Sequence, residues 1–377
     1  MRVLVVNAGS SSLKLSVLDA DDKVVAARTI ERWTGGQETG PIREFLSRTG
    51  HVDAVGHRVV HGGPRFTTAV TVDDSVLAEL ESTAELAPLH NPRAVAAIRA
   101  VSGLLPDTAQ VACFDTAFHA TMPAPARTYA LPREWNERWA LRRYGFHGLS
   151  HAYAVRRAAE LVDRPLEQLR MVSCHLGAGC SLAAVLAGRS VDTTMGFTPL
   201  AGLVMVTRSG SVDPGLLLWL LRHGGLTVDD VEEALEHRSG LAGLSGTSGD
   251  LRDVLVARAA GDPYAGLAFD VFIHRLAREA AAMTAATGGL DVLVLTGGIG
   301  EHVPLVRADV ARRLEHLGVA VDGDLNARAT GDAEISAPGA GASTVVVTAR
   351  EDVEIARQTR ALRRARAQEP RATQRTR

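Results

Sequence analysis

The chain has 377 residues, 46% of them hydrophobic, and its 41 basic and 43 acidic residues leave a formal net charge of −2. That balance excludes the net positive charge or basic stripe expected of a nucleic-acid binder, and no apolar run approaches the ~20 residues needed to span a bilayer. The length suggests roughly two or three domains at about 100–200 residues each; Cys113, Cys174 and Cys180, odd in number and without metal-ligand spacing, fit a reducing cytosol.

From the N-terminus, Val3–Val6 is wholly apolar, a Ser-rich turn follows, and Leu13, Leu15 and Val17 then alternate with polar residues. This predicts a β-hairpin whose first strand is buried on both faces. Further on, Asp115 follows the apolar strand VACF, so its carboxylate should emerge at a strand end. In YGFHGLSH, His147 and His151 form an i, i+4 pair that invites a zinc reading, but the Glu of H-E-x-x-H and a third ligand are missing. Ser150 is predicted to N-cap a helix that begins near His151.

A second hairpin repeats the design of the first: apolar Met171–Cys174, a Gly-rich turn, and apolar Leu182–Leu186. A third glycine turn follows the buried strand Val292–Leu295 and leads into an amphipathic helix with Val303, Val306, Val310 and Leu314 at helical spacing. The end, RALRRARAQEPRATQRTR, is basic and without apolar periodicity, and residues 367–377 are expected to form a mobile tail.

Two similar hairpins suggest two homologous α/β halves, each with a small-residue turn at the end of its sheet, where such proteins bind ligands. Two such turns facing across a cleft would grip a nucleotide polyphosphate. Neither G-x-x-x-x-G-K-[ST] nor G-x-G-x-x-G occurs in these turns, so the pattern points to a phosphate binder that is neither a P-loop nor a dinucleotide fold.

NAGSSSLK, VGHRVVHGG, LAPLHNP, FDTAFHATMP, YGFHGLSH, DTTMGFTPLAGL, TRSG, SGDLRDV and TGGIGEH, in that order over residues 1 to about 360, resemble the acetate kinase family. The resemblance implies two duplicated actin-like (ribonuclease H-like) α/β domains facing across a nucleotide cleft. Residues 1–119 plus about 353–366 would form the acyl-kinase domain and 120–352 the nucleotide-binding domain. It also implies reversible transfer of a phosphoryl group from ATP to acetate, giving acetyl phosphate and ADP, with Mg²⁺ or Mn²⁺, in a cytoplasmic homodimer with no nucleic-acid or membrane partner. The alternatives are a propionate kinase of the same family and a weakly active paralogue serving as a nucleotide-binding switch.

By the same resemblance, Asn7 and Glu351 assist the metal, and Ser10, Ser12 and Lys14 face the phosphates. Only Lys14 and Lys23 of the 41 basic residues are lysines, and a compact ammonium suits a phosphate oxygen as a point charge where a planar guanidinium would not. Arg58 and Arg208 are the candidate clamps for the carboxylate and the transferring phosphoryl group, His147 the hydrogen-bond donor in the transition state, and Asp115 the acidic catalytic residue. Direct in-line transfer is favoured because the acceptor is already a carboxylate; an aspartyl phosphate on Asp115 is the alternative. Val60, Leu89, Phe146 and Pro199 match the apolar lining of an acetate-sized pocket. His175, Leu176, Gly177, Ala178 and Gly179 would meet the phosphates, Asp250, Leu251 and Arg252 the adenosine, and Gly298, Ile299, Gly300, Glu301 and His302 the same region. The helix after Gly300 would aim its N-terminus at the nucleotide.

The sequence departs from the family pattern near the nucleotide. Ala178 stands for Asn, Cys180 for Ser and His302 for Asn, and Ala201, Val206 and Ser211 stand where Glu, Gly and Asp are commoner. Several of these exchanges remove polar groups near the nucleotide and bear on its affinity and on which nucleotide is preferred; the loss of the Asn side chain at Ala178 predicts weaker ATP binding.

Overall fold

The computed structural model describes every residue except 10–11, 34, 36–38, 88–89 and 369–377. The expectations for Ser10, Leu89 and most of the basic tail therefore lie outside the described residues; the C-terminal helix Glu351–Gln368 runs into the start of that tail. The chain divides into two compact units, Met1–Phe118 with the segment from Arg350 onward, and His119–Ala349.

The first unit carries a six-stranded sheet built from β1 (Val3–Ala8), β2 (Ser12–Leu18), β3 (Val24–Glu31), β4 (Ala54–Val59), β5 (Val70–Thr71) and β6 (Ala109–Phe114), in the spatial order β3-β2-β1-β4-β6-β5. The β1, β2 and β3 meander is antiparallel, whereas β4 and β6 run parallel to β1. Val3, Leu4, Val5 and Val6 are all buried, so the continuous apolar run is a strand covered on both faces. In β2 only Leu13, Leu15 and Val17 turn inward among residues 13–17, and they join Leu4, Val6, Trp33 and Val101 in one core cluster. The helix Glu351–Gln368 lies against β1, β4 and β6. It approaches so closely that a Cβ on Gly56 of β4 would stand 2.5 Å from Thr359 Oγ1 and 2.6 Å from Ile355 Cγ2.

The second unit repeats this plan with β7 (Arg170–Leu176), β8 (Cys180–Leu186), β9 (Arg189–Thr193), β10 (Val292–Thr296), β11 (Ala333–Glu334) and β12 (Ser343–Val346), ordered β11-β12-β10-β7-β8-β9. Again three antiparallel strands are followed by two parallel to the first. Each sheet ends in a two-residue antiparallel strand on its last parallel strand. Helices Gly148–Leu161 and Pro263–Thr287 pack on β7, and each buries an apolar stripe.

Two local readings differ from the structure. Ser150 is not an N-cap: the Gly148–Leu161 helix is entered through His147, which adopts the left-handed conformation (φ 57°, ψ 22°). The third glycine turn is itself a short helix, Gly297–His302, followed by a separate helix, Pro304–Arg313. Gly297 takes φ 77°, and a Cβ there would meet the Leu176 carbonyl oxygen at 2.7 Å, so the bend falls at the first glycine of the run and the helix begins before Gly300. Val306, Val310 and Leu314 are buried as the spacing required.

Candidate active site

Each unit holds a polar cluster on the row of its sheet that passes through the penultimate residue of its first strand. In the first unit that row runs Lys14, Asn7, Arg58: Asn7 pairs with Lys14 across the hairpin and with Arg58 across the parallel contact. Directly paired residues present side chains on one face, so register alone gathers an ammonium, an amide and a guanidinium. Arg58 is the hub. Its Nη2 donates to Asp115 Oδ2 at 2.7 Å and its Nε to the same oxygen at 3.2 Å; Nη1 donates to Asn7 Oδ1 at 3.3 Å. Glu351 Oε2, from the start of the C-terminal helix, lies 3.6 Å from Arg58 Nε.

Asp115 is 1% exposed and emerges after β6, held by its backbone N–H donating to the Val59 carbonyl. Burial pushes its carboxyl up to about 6, against the pull of Arg58 and with the negative charge of Glu351 adding to the rise. Burial also opposes the charge on Arg58, but Asp115 and Glu351 outweigh it and hold the guanidinium protonated. Among the described residues, no group of three or more His, Cys, Asp or Glu side chains gathers in the manner of a closed protein metal cage. Mg²⁺ is commonly held by one or two carboxylates plus substrate phosphates and waters, and the oxygens of Asn7 and Glu351 beside Arg58 are donors of that hard type. Val60 is buried just past β4. Lys14 is exposed, and Ser12 opens β2 with its carbonyl accepting the Gly9 N–H at 2.8 Å.

The second unit's row runs Ser181, His175, Thr296. Around it gather four histidines: His147 and His175 with ring centroids 4.3 Å apart, His151 6.3 Å from His175, and His119 5.8 Å from His151. Serines hold them. Ser181 Oγ lies 2.9 Å from both His147 Nδ1 and His151 Nε2, Ser173 Oγ lies 2.9 Å from His151 Nδ1, and Ser150 Oγ lies 2.8 Å from His175 Nδ1. His119 is bonded to Ser190 Oγ and to the Phe146 carbonyl. Burial holds His119 down to about 4, and burial with the nearby histidines holds His151 well below its ordinary value. His151 is thus a neutral core histidine engaged on both nitrogens.

The turn Gly177–Gly179 brings His147 and Arg208 together. A Cβ at Gly179 would stand 3.3 Å from Arg208 Nη2 and from His147 Cε1, and 3.4 Å from His147 Nε2. Arg208 is aimed by its Nη1 donating to the Pro199 carbonyl at 2.9 Å, with Glu236 3.9 Å from its Nε. Two of the departures also meet here, since the Val206 N–H donates to the Ala178 carbonyl at 3.2 Å. Cys180, a third, donates its thiol to the Gly177 carbonyl. Ala178 itself is exposed at the tip, whereas Leu176 and Phe146 are buried.

The remaining residues assigned to the nucleotide border this turn: a Cβ on Gly297 would stand 2.7 Å from the Leu176 carbonyl oxygen, and one on Gly249, before Asp250, 2.6 Å from the Val206 carbonyl oxygen. Asp250 caps the helix Leu251–Ala259 through the Arg252 N–H and also binds the Arg252 guanidinium, which holds its carboxyl down to about 2; Leu251 is buried. In Gly297–His302, Ile299 and Gly300 are buried, Gly298 and His302 are exposed, and Glu301 accepts the Ala349 N–H at 3.0 Å. Sequence reasoning missed Ser181 and Ser173; a faint signal existed, because Ser181 occupies in the second hairpin the place of Lys14 in the first.

Two copies of one sheet, with three antiparallel strands followed by two parallel ones and a glycine-containing turn in the first hairpin of each, define a two-domain, actin-like α/β protein. A ROK hexokinase from Thermus thermophilus shares this fold (TM-score 0.50 at 13% identity, covering 97% of this chain and all of that one). The particular relationship is much closer. The Acetokinase family model matches residues 41–357. Acetate kinase from Geobacillus sp. (strain WCH70) is 42% identical over 94% of this chain and 97% of its own. The crystal structure of Porphyromonas gingivalis acetate kinase superposes with a TM-score of 0.90 at 36% identity, covering 96% and 99% of the two chains. A propionate kinase from Francisella tularensis gives 0.87 at 34% over the same shares. The chain belongs to the Acetokinase family and is a kinase.

Proposed function

We propose that this protein catalyses the reversible, Mg²⁺-dependent transfer of the γ-phosphoryl group of ATP directly to acetate. The observation that carries the proposal is the meeting of His147 and Arg208 at Gly179, which offers an N–H and a guanidinium to one point beside a glycine turn. Phosphoryl transfer needs positioning and charge stabilisation around three equatorial oxygens more than it needs covalent chemistry from the protein. In this reading the first unit is the acyl-kinase domain, where Arg58 binds the acceptor carboxylate and Lys14 and Ser12 serve the phosphates. The second is the nucleotide-binding domain, where Arg208 and His147 stabilise the transferring group and the Gly177–Gly179 turn, Asp250–Arg252 and Gly298–His302 hold ATP. Asn7 and Glu351 would hold the Mg²⁺, which supplies charge neutralisation on the phosphates.

Direct transfer rather than an aspartyl phosphate is supported by the state of Asp115. The carboxylate is buried, with Arg58 donating to it from both Nε and Nη2, which suits positioning of Arg58 more than nucleophilic attack. Val60, Phe146 and Pro199 set substrate size, and because one methylene discriminates by only ~1–3 kcal/mol, some propionate turnover is expected. Homodimer formation is supported by helix Pro214–His223, which buries none of its residues and leaves Leu216, Leu218 and Trp219 exposed; a monomer by light scattering would refute it. The proposed place of action is the cytoplasm; separately, among the described residues no helix is long and apolar enough to cross a membrane.

The test is a hydroxamate assay for acyl phosphate with acetate, propionate and butyrate, each with ATP and GTP and Mg²⁺. Acetate with ATP should give the highest kcat/KM. No acyl phosphate from any pairing would favour a nucleotide-binding switch.

A further inference from the structure

The four side chains His147, Ser181, His151 and Ser173 are joined in series by hydrogen bonds, each link 2.9 Å long. Ser181, His151 and Ser173 have no exposed surface. A hydroxyl carries one proton and a neutral imidazole carries one N–H, so the protons along such a chain must all point the same way.

Two directions are conceivable, and Ser173 decides between them. If His151 donated from Nδ1 to Ser173, the Ser173 hydroxyl proton would need another acceptor, and among the described residues His151 is the sole hydrogen-bond partner of that side chain. A buried hydroxyl left without its bond is costly. In the other direction every group is satisfied. Ser173 donates to His151 Nδ1, His151 donates from Nε2 to Ser181, and Ser181 donates to His147 Nδ1. His147 must then carry its proton on Nε2, the atom that lies with Arg208 Nη2 around the Gly179 turn.

We propose that Ser173, His151 and Ser181 are positioning residues that fix His147 as the neutral Nε2–H tautomer, so that it presents a hydrogen-bond donor to the transferring phosphoryl group without a proton being gained or lost. An imidazolium at His147 would drive a second donor against Ser181, which already accepts from His151, and would leave the Ser181 hydroxyl proton without a partner. The left-handed backbone of His147 belongs to the same device. A non-glycine residue in that region is strained, and here the strained residue is the one whose ring is delivered to Ser181. The proposal rests on the donor role assigned to His147 above.

The test reads the tautomer first. Long-range ¹H–¹⁵N spectra of the full-length enzyme labelled with ¹⁵N-histidine, with the His147 signals assigned from their loss in His147→Gln, should show a protonated Nε2 and an unprotonated Nδ1. An Nδ1–H tautomer or an imidazolium at His147 overturns the proposal without the use of any serine variant.

Kinetics gives the second readout. Ser181→Ala should lower kcat roughly three- to tenfold, the loss of one neutral hydrogen bond, with the KM values for acetate and ATP nearly unchanged, and Ser181→Thr should restore most of it. In a His147→Gln background, where the amide has no tautomer to choose, Ser181→Ala should cost nothing further. The same loss in both backgrounds would mark Ser181 as merely structural and refute the relay. His147→Ala with undiminished kcat would instead refute the donor role itself, whatever the tautomer proves to be.

Discussion

The same row of the same sheet is put to two different uses in the two halves of this chain. In the first half it reads Lys14, Asn7, Arg58, with Asp115 and Glu351 closing on the arginine; in the second it reads Ser181, His175, Thr296, with His147 and His151 folded over it. One half has become a charged cluster that can bind an anion by opposite charge. The other has become a network of histidines and serines joined by hydrogen bonds, with the Arg208 guanidinium and the His147 ring meeting at Gly179. The difference teaches how a duplicated fold can carry two chemistries: register supplies an identical frame, and in the proposed function the side chains assign ground-state binding to one half and transition-state stabilisation to the other.

If that division holds, the two arginines should fail differently. Arg208→Ala should lower kcat by about 10²–10³-fold, the usual cost of removing one preorganised donor, while the KM for acetate changes little. A variant with near-normal turnover would remove Arg208 from the reaction. Arg58→Ala should raise the acetate KM as well as lower kcat. It should also destabilise the protein by about 3 kcal/mol or more, because it leaves Asp115 buried without its partner; denaturant melts and initial rates measured together test both halves of this statement.

The two turns sharpen the contrast further. The first is rich in hydroxyls, whereas the second has Ala178 exposed at its tip with its carbonyl tied to Val206. Restoring a side-chain donor with Ala178→Asn should add a hydrogen bond to a charged oxygen, worth about 1.5–3 kcal/mol, or a weaker one of about 0.5–1.5 kcal/mol. The KM for ATP should then fall by roughly a few-fold to a hundredfold, with the KM for acetate nearly unchanged. An unaltered or raised KM for ATP would mean that the turn has been rebuilt around Ala178 and Val206.

The smallest expected effect is one of pH. Burial pushes the Asp115 carboxyl up to about 6, so the rate should fall on the acid side as the Arg58–Asp115 pair is lost. Because the negative charge of Glu351 contributes to that elevation, Glu351→Gln at saturating Mg²⁺ should move the acid limb to lower pH. Movement to higher pH would contradict the electrostatics described for this cluster.

Much of this was legible in the sequence, for reasons that are local. A continuous apolar run followed by strict alternation specifies a hairpin with one doubly buried strand, and its recurrence near Met171 announced the duplication. Asp115 at the end of VACF is where a carboxylate emerges from a parallel strand, and it is found there beside Arg58. What stayed hidden depends on contacts between elements. Nothing in YGFHGLSH says that His147 turns left-handed, which removes Ser150 from the cap position and frees its hydroxyl for His175. Likewise the Gly297 bend depends on the Leu176 carbonyl standing 2.7 Å from its would-be Cβ, and β10 and β7 are far apart in the chain. Ser173 and Ser181 are two small polar residues in apolar strands, and only the register that sets them beside His151 gives them meaning.

The central claim is that the phosphoryl group passes in one step from ATP to acetate and never resides on Asp115. It is tested most directly by the stereochemical course at phosphorus, followed with ATP made chiral at the γ-phosphorus by oxygen isotopes and with the configuration of the acetyl phosphate product read out. A single in-line displacement predicts inversion. Retention would require two displacements, and would return Asp115 from the partner of Arg58 to the nucleophile.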